Sequence, residues 1–245
     1  MSSIKRICLF SLLLALTGLP APSLTAKGIE ISGSAEVVSA YIWRGDYVCG
    51  AHMLPKMTAS WKNFSVQPFA FLPFDGSYKE IDIDCFYTLG PVSFHLGDYF
   101  ARYASDATPE DYFNFRKGST NHIQEAILCY EPSSLPFSVK WFTFYFGDWL
   151  PQSDGSQGRP SFSSYLEAEA HVDFESAGRL SALCGISIGR GMYTDYTKDF
   201  AVVHTELIYS RHIVAGSLIL PISVSYILNP YRAQSWMKCS LGLEF

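Results

Sequence analysis

Ten carboxylates fall at alternate positions of extended segments: Glu30, Glu36, Glu80, Asp82, Asp84, Glu125, Glu167, Glu169, Glu206 and Glu244. Four bases share their face, Arg44, Lys56, Lys140 and Lys238. Side chains alternate across a strand, so each segment separates a charged face from an apolar one. The clearest case is 79–89. Glu80, Asp82 and Asp84 point one way, while Ile81, Ile83, Cys85, Tyr87 and Leu89 point the other. If the charged faces line one interior, that interior is acidic and favours cations over anions. The residues expected at its constriction are Glu80, Asp82, Glu125, Glu167, Glu169 and Glu206, with Arg44 and Lys140 as counter-charges. Glu125, Lys140, Glu167 and Glu169 come from three successive segments, so a salt-bridged ladder through Lys140 follows if the register allows it. The competing reading is a filled interior, in which the same carboxylates pair with bases and tyrosine hydroxyls and plug it.

Other chemistry is weaker. Nucleophilic catalysis needs a nucleophile and a base within reach. Ser119 and His122 are close in sequence, near one rim, but their parity places them on opposite faces. His171, with Ser163 and Ser164 nearby, and His204 make no recognisable motif. No catalytic residue, cofactor or metal site is therefore expected. The net charge of −5 offers no basic surface for nucleic acid. Cys49, Cys85, Cys129, Cys184 and Cys239 are odd in number and lack metal-ligand spacing, so they read as small hydrophobes. Arg44-Gly45-Asp46 and Asn63-Phe64-Ser65 match short recognition triplets that arise by chance, and the glycines of 185–191 lack dinucleotide-loop spacing.

The elements that must position these residues are strands. Lys5 and Arg6 precede an apolar stretch, 7–19, and small residues end at Ala26. This reads as a secretory signal peptide over 1–26, too short in its apolar core to span a bilayer. The remaining chain, 27–245, has no apolar run of transmembrane-helix length. A chain that alternates with period two and lives in lipid must close into a barrel, because lipid leaves no backbone group unpaired. The fold expected is all-β: an up-and-down antiparallel transmembrane barrel of about twelve strands. The spans are 29–44, 54–62, 64–72, 79–89, 91–101, 119–130, 136–147, 161–173, 179–189, 200–211, 217–228 and 234–245. The seventh and eleventh strands, 136–147 and 217–228, are apolar on both sides in places, so their facing is open. Short turns at 62–63, 90–91, 131–135 and 175–178 alternate with long loops at 46–53, 105–118, 148–160 and 190–199. The short connection 229–233 falls awkwardly on the long-loop side. Aromatics make up 16% of the chain and cluster at strand ends, as interfacial girdles require. Met237, Cys239, Leu241, Leu243 and Phe245 alternate to a terminal Phe, an assembly signal of the kind the barrel-assembly machinery reads.

Several segments are similar to those of a known family. Residues 38–45 resemble a motif near the mature N-terminus of poorly characterised outer-membrane barrels from Bacteroidota, a family that looks related to TorF-type outer-membrane channels. Lys79-Glu80-Ile81-Asp82, Gly97-Asp98-Tyr99-Phe100, Asn121-His122 with Glu125, Tyr165-Leu166-Glu167-Ala168, Leu220-Pro221 and Asn229-Pro230 follow in the family's order. Asn121 stands where the family carries Thr, and the strand around Phe142 to Phe146 is unusually aromatic. The resemblance implies a surface-located barrel and no particular substrate.

The function expected is a passive, porin-like channel for small cationic or neutral solutes across a bacterial outer membrane. One alternative is a non-conducting barrel within a larger outer-membrane complex. Another is a lipid-modifying enzyme. The partners implied are outer-membrane lipid, the assembly machinery, small solutes and other outer-membrane proteins.

Overall fold

The structure, a computed structural model, describes residues 28–106, 111–175, 177–216 and 218–245. The expected signal peptide lies outside these residues. The chain begins with β1 (Glu30–Val38), followed by β2 (Tyr41–Trp43) and β3 (Asp46–Cys49). Next come β4 (His52–Trp61), β5 (Phe64–Pro73), β6 (Tyr78–Leu89), β7 (Val92–Tyr103), β8 (His122–Tyr130) and β9 (Phe137–Phe146). After β10 (Trp149–Pro151) and β11 (Gln157–Pro160) come β12 (Ser164–Phe174), β13 (Gly178–Ile188), β14 (Phe200–Ala215), β15 (Leu218–Asn229) and β16 (Gln234–Glu244). Among the described residues, twelve antiparallel strands form one closed barrel, while β2–β3 and β10–β11 are separate hairpins. Each barrel strand pairs with its neighbour in sequence, and β1 also pairs with β16. The sheet therefore has no open edge, as a spanning sheet must not.

The apolar face points outward. Met57, Ile81, Leu96, Leu128, Leu207 and Leu241 are all exposed, each on its strand's outer side. Trp61, Phe64, Tyr87, Phe94, Tyr130 and Phe174 are exposed near the short turns and form one aromatic girdle. Glu80, Asp82, Glu125 and Glu206 are buried on the opposite face. An apolar exterior around a charged interior inverts the soluble arrangement and is the arrangement of a transmembrane barrel. The two strands whose facing the sequence left open are settled by burial. In β9, Phe142 and Phe144 are buried inside while Trp141 and Tyr145 are exposed outside. In β15, Ser225, Ile227 and Asn229 point in, and Val224, Tyr226 and Leu228 point out.

The expected strand 29–44 is corrected: β1 stops at Val38, and Arg44 is not on the barrel wall. Arg44 (φ 48°) and Gly45 (φ 87°) make the two-residue turn of the β2–β3 hairpin, with Trp43 paired to Asp46 across it. Successive positive φ values suit a tight hairpin turn, and glycine supplies one without strain. The hairpin folds into the barrel. A Cβ on Gly45 would fall onto the Val203 carbonyl oxygen of β14.

The seam between first and last strands ends in a two-way exchange: Gly33 N–H donates to Phe245 O at 2.7 Å, and Phe245 N–H donates to Gly33 O at 2.9 Å. The Phe245 ring lies over Gly33, where an added Cβ would come within 2.6 Å of it. Gly33→Val is expected to displace that ring and cost about 1–3 kcal/mol, the usual cost of overpacking. Urea unfolding of the refolded barrel measures it; an unchanged midpoint would contradict this account of the seam.

Candidate functional site

The β2–β3 hairpin carries Arg44 to the centre of the barrel. Its guanidinium donates from Nη1 to Glu125 Oε1 at 2.6 Å and from Nη2 to Glu125 Oε2 at 2.7 Å, and Nη1 also donates to the Tyr193 hydroxyl. The Tyr99 hydroxyl donates to Glu125 Oε2 at 3.1 Å. The guanidinium carbon lies 4.0 Å from the centre of the Phe142 ring, 4.9 Å from Tyr165 and 5.0 Å from Trp43. Glu125 has no exposed surface. A buried ion pair offsets its desolvation only with such bidentate geometry and further hydrogen bonds. Stacking on ring faces suits a planar cation.

Each of these groups has a local reason for its place. Glu125 is an inward residue of β8, and Phe142 is an inward residue of β9. Tyr165 on β12 leans across Gly185 of β13, where any Cβ would collide with its hydroxyl. Pairing of β13 with β14 shifts by one residue at Gly185/Ile186. Such a bulge turns two consecutive side chains to one side: Val203 packs with the inner aromatic cluster, and His204 meets Tyr165. Tyr193 comes from a short turn, Met192–Thr194, inside the 189–199 loop.

The loops hold the hairpin in place. Asn229 Nδ2 donates to Gly45 O and to Asp46 Oδ1, both at 3.1 Å. Arg232 Nε donates to Asp46 Oδ1 at 2.7 Å, and its two terminal nitrogens donate to the Asp195 carboxylate at 2.9 and 3.1 Å. These bonds, those to Asp195 foremost, hold the Arg232 guanidinium above its ordinary pKa. The short 229–233 connection thus works as a clamp between two other loops. The Ser163 hydroxyl accepts the Met192 N–H at 2.8 Å, tying a third loop to the same turn.

Nearer the turns lies a second charged layer. Lys140 Nζ is 3.6 Å from Glu167 Oε1. The Tyr165 hydroxyl is 3.1 Å from both Glu167 Oε2 and His204 Nδ1. His204 Nε2 faces Glu206 Oε2 at 3.1 Å, and Lys238 Nζ lies 3.0 Å from Glu206 Oε1. Glu169 is inward and pairs in register with Ser138 and Leu183. At the long-loop end, Glu80 and Asp82 line a cavity of about 600 Å³.

The structure thus brings together Arg44 and Glu125, and separately Lys140 and Glu167. It does not build the ladder from Glu125 through Lys140. Glu125 lies opposite Phe144, whereas Lys140 lies opposite Cys129. Sequence reasoning missed Tyr99, Phe142, Tyr165 and Tyr193 as partners of the charges. Tyr165 and Phe142 share an inward parity with Glu167 and Lys140, which is a usable signal; nothing local marks Tyr193. Ser119 and His122 are each engaged with other partners. Ser119 Oγ contacts Asn114 Nδ2 at 3.1 Å, and the two His122 nitrogens meet Asp98 Oδ2 at 2.9 Å and Tyr112 O at 2.6 Å. A pair not foreseen, Ser93 Oγ and His95 Nε2, is 2.7 Å apart. In Arg44-Gly45-Asp46, both charged groups are engaged within the chain.

With this geometry in view, solved structures give a comparison. The chain is similar to the NanC porin, with a TM-score of 0.51 and 10% identity over 88% of this chain and 98% of that one. It is also similar to OprD from Pseudomonas aeruginosa, with a TM-score of 0.38 and 13% identity over 90% of this chain and 66% of that one. The fold shared with the first of these is a closed antiparallel barrel. Likeness at this level of identity concerns fold alone. No protein-family model matches the chain, and no curated protein matches it.

Removing one member of the central ion pair leaves a buried charge uncompensated. Arg44→Ala and Glu125→Ala are each expected to cost about 3–5 kcal/mol. The double variant should lose less than the sum, because its partners are in contact. Urea titrations of all four proteins make the comparison; strictly additive losses would mean that the pair is not coupled.

Proposed function

We propose that this protein is a porin-like channel of a bacterial outer membrane, passing small cationic or neutral solutes past a constriction made by the β2–β3 hairpin. The observation that carries the reading is a loop element folded into a charged lumen, with a cavity above it at the long-loop end. A hairpin of this kind narrows the lumen without continuing the barrel wall. The carboxylates Glu80, Asp82, Glu125, Glu167, Glu169 and Glu206, against Arg44 and Lys140, set the charge a solute meets. The long loops face the exterior, and Phe245 at the seam serves assembly by the barrel-assembly machinery. The resemblance of 38–45 and the later segments to Bacteroidota barrels related to TorF-type channels supports this reading.

One observation favours the second reading, a non-conducting barrel within a larger complex. Glu125, Tyr165 and Ile227 have no exposed surface at all, so the lumen is densely filled where the hairpin enters.

Single-channel conductance in a planar bilayer, under a KCl gradient, separates the two. Small cation-selective steps are expected from the natural sequence. Arg44→Ala should raise conductance by about twofold or more, by removing the tip of the constriction. Glu167→Gln with Glu169→Gln should weaken cation preference. Silence from both the natural protein and Arg44→Ala, each shown to be folded, would sink the channel and favour the complex.

A further inference from the structure

We infer that the cavity at the long-loop end is a binding site for a small organic cation, an ammonium group carried on an aromatic or apolar body. The inference rests on the channel reading for its purpose, since the bound molecule would be cargo. The site itself is defined by its own residues.

Its base is a buried carboxylate with an unpartnered oxygen. Asp82 lines the cavity, is 2% exposed, and its Oδ1 has no hydrogen-bond partner. Asp84 Oδ1, at the next inward position of β6, is likewise buried and unpartnered. Glu80, one inward position towards the loops, receives the Tyr78 hydroxyl at 2.7 Å. Alternate residues of a strand are about 7 Å apart, so three carboxylates follow one another along the inner wall. Buried polar atoms without partners are costly, and buried like charges repel. A cation bearing N–H groups relieves both costs at once.

The walls favour the same class. Tyr41 stacks on Phe71 with ring centres 3.8 Å apart and planes within 7°. Tyr78 and Tyr99 complete an aromatic lining around Glu80 and Asp82. Ring faces attract cations and pack against flat or apolar bodies. The chain itself builds this chemistry elsewhere in the lumen, where Arg44 sits between a carboxylate and ring faces. Glu80 and Asp82 repeat the combination of carboxylate and ring faces on the cavity wall. About 600 Å³ suits a small ligand with a few placed polar groups.

The donor set also distinguishes among cations. Among the described residues, no three Asp, Glu, His or Cys side chains converge as a metal ion requires. An unpartnered carboxylate oxygen asks for a hydrogen-bond donor, which a primary ammonium supplies and a quaternary ammonium does not. Anionic solutes meet only repulsion.

The test is isothermal titration of the full-length mature barrel in detergent with benzylamine, benzyl alcohol and benzoate. Benzylamine should bind saturably at one site, at least about tenfold more tightly than benzyl alcohol, with benzoate not binding. Asp82→Asn should weaken benzylamine at least about tenfold while leaving benzyl alcohol nearly unchanged. Resistance to detergent unfolding confirms that the variant is folded, and Glu80→Gln gives a second variant should Asp82→Asn fail that check. Equal binding of amine and alcohol, an Asp82→Asn variant that binds as the natural protein does, or no saturable heat up to about 10 mM benzylamine overturns the site. A barrel that binds benzylamine but passes no current, either as the natural protein or as Arg44→Ala, keeps the site and loses the channel. One that conducts without binding loses the site alone.

Discussion

Lipid offers no hydrogen-bond partner to a peptide group, and from this constraint the other features follow. Every strand must find two neighbours, so β1 has to meet β16. Closure then assigns each side chain by parity, apolar residues outward and charged residues inward. With lipid outside, the interior is the only place for carboxylates such as Glu80, Glu125 and Glu167. Their mutual proximity is a result of closure, not of any one strand.

Charges gathered in this way need partners, and the wall does not supply enough of them. Lys140 serves Glu167, and Lys238 serves Glu206. For Glu125 the partner comes from outside the wall, on a hairpin inserted from a loop. That insertion requires Arg44 and Gly45 in the left-handed region, a glycine where Val203 comes close, and rings to cover the guanidinium. The aromatic richness of β9, unusual for a barrel wall, has its explanation here. Phe142 and Phe144 face the lumen because they pack against the hairpin, while Trp141 and Tyr145 face lipid.

The barrel was legible because parity is a local property. The turn at Gly90-Pro91 and the alternation of 79–89 each announce themselves over a few residues, and every barrel strand but the first falls within about four positions of where alternation puts it. What stayed hidden depends on distant contacts. Arg44 continues the alternation of β1 in sequence, so it reads as wall. Only the left-handed turn it shares with Gly45, and the fit of that turn against β14, remove it from the wall. The one-residue shift at Gly185/Ile186, which turns Val203 and His204 to the same side, is likewise invisible to a strict period of two. Pairing of Lys140 with Glu167 rather than Glu125 required the register, which alternation does not specify.

The clamp at 229–233 also bears on the order in which the molecule can be assembled. Gly45 is held by Asn229, 184 positions further along the chain, and Asp46 by Arg232. Glu125 and Tyr193, the other anchors of the hairpin, also come later than Arg44. When the first hairpin is synthesised, none of its docking partners yet exists. Its seat is complete only once β15 and the connection to β16 are in position. The connection before the final strand is thus the one that latches the first hairpin in its seat.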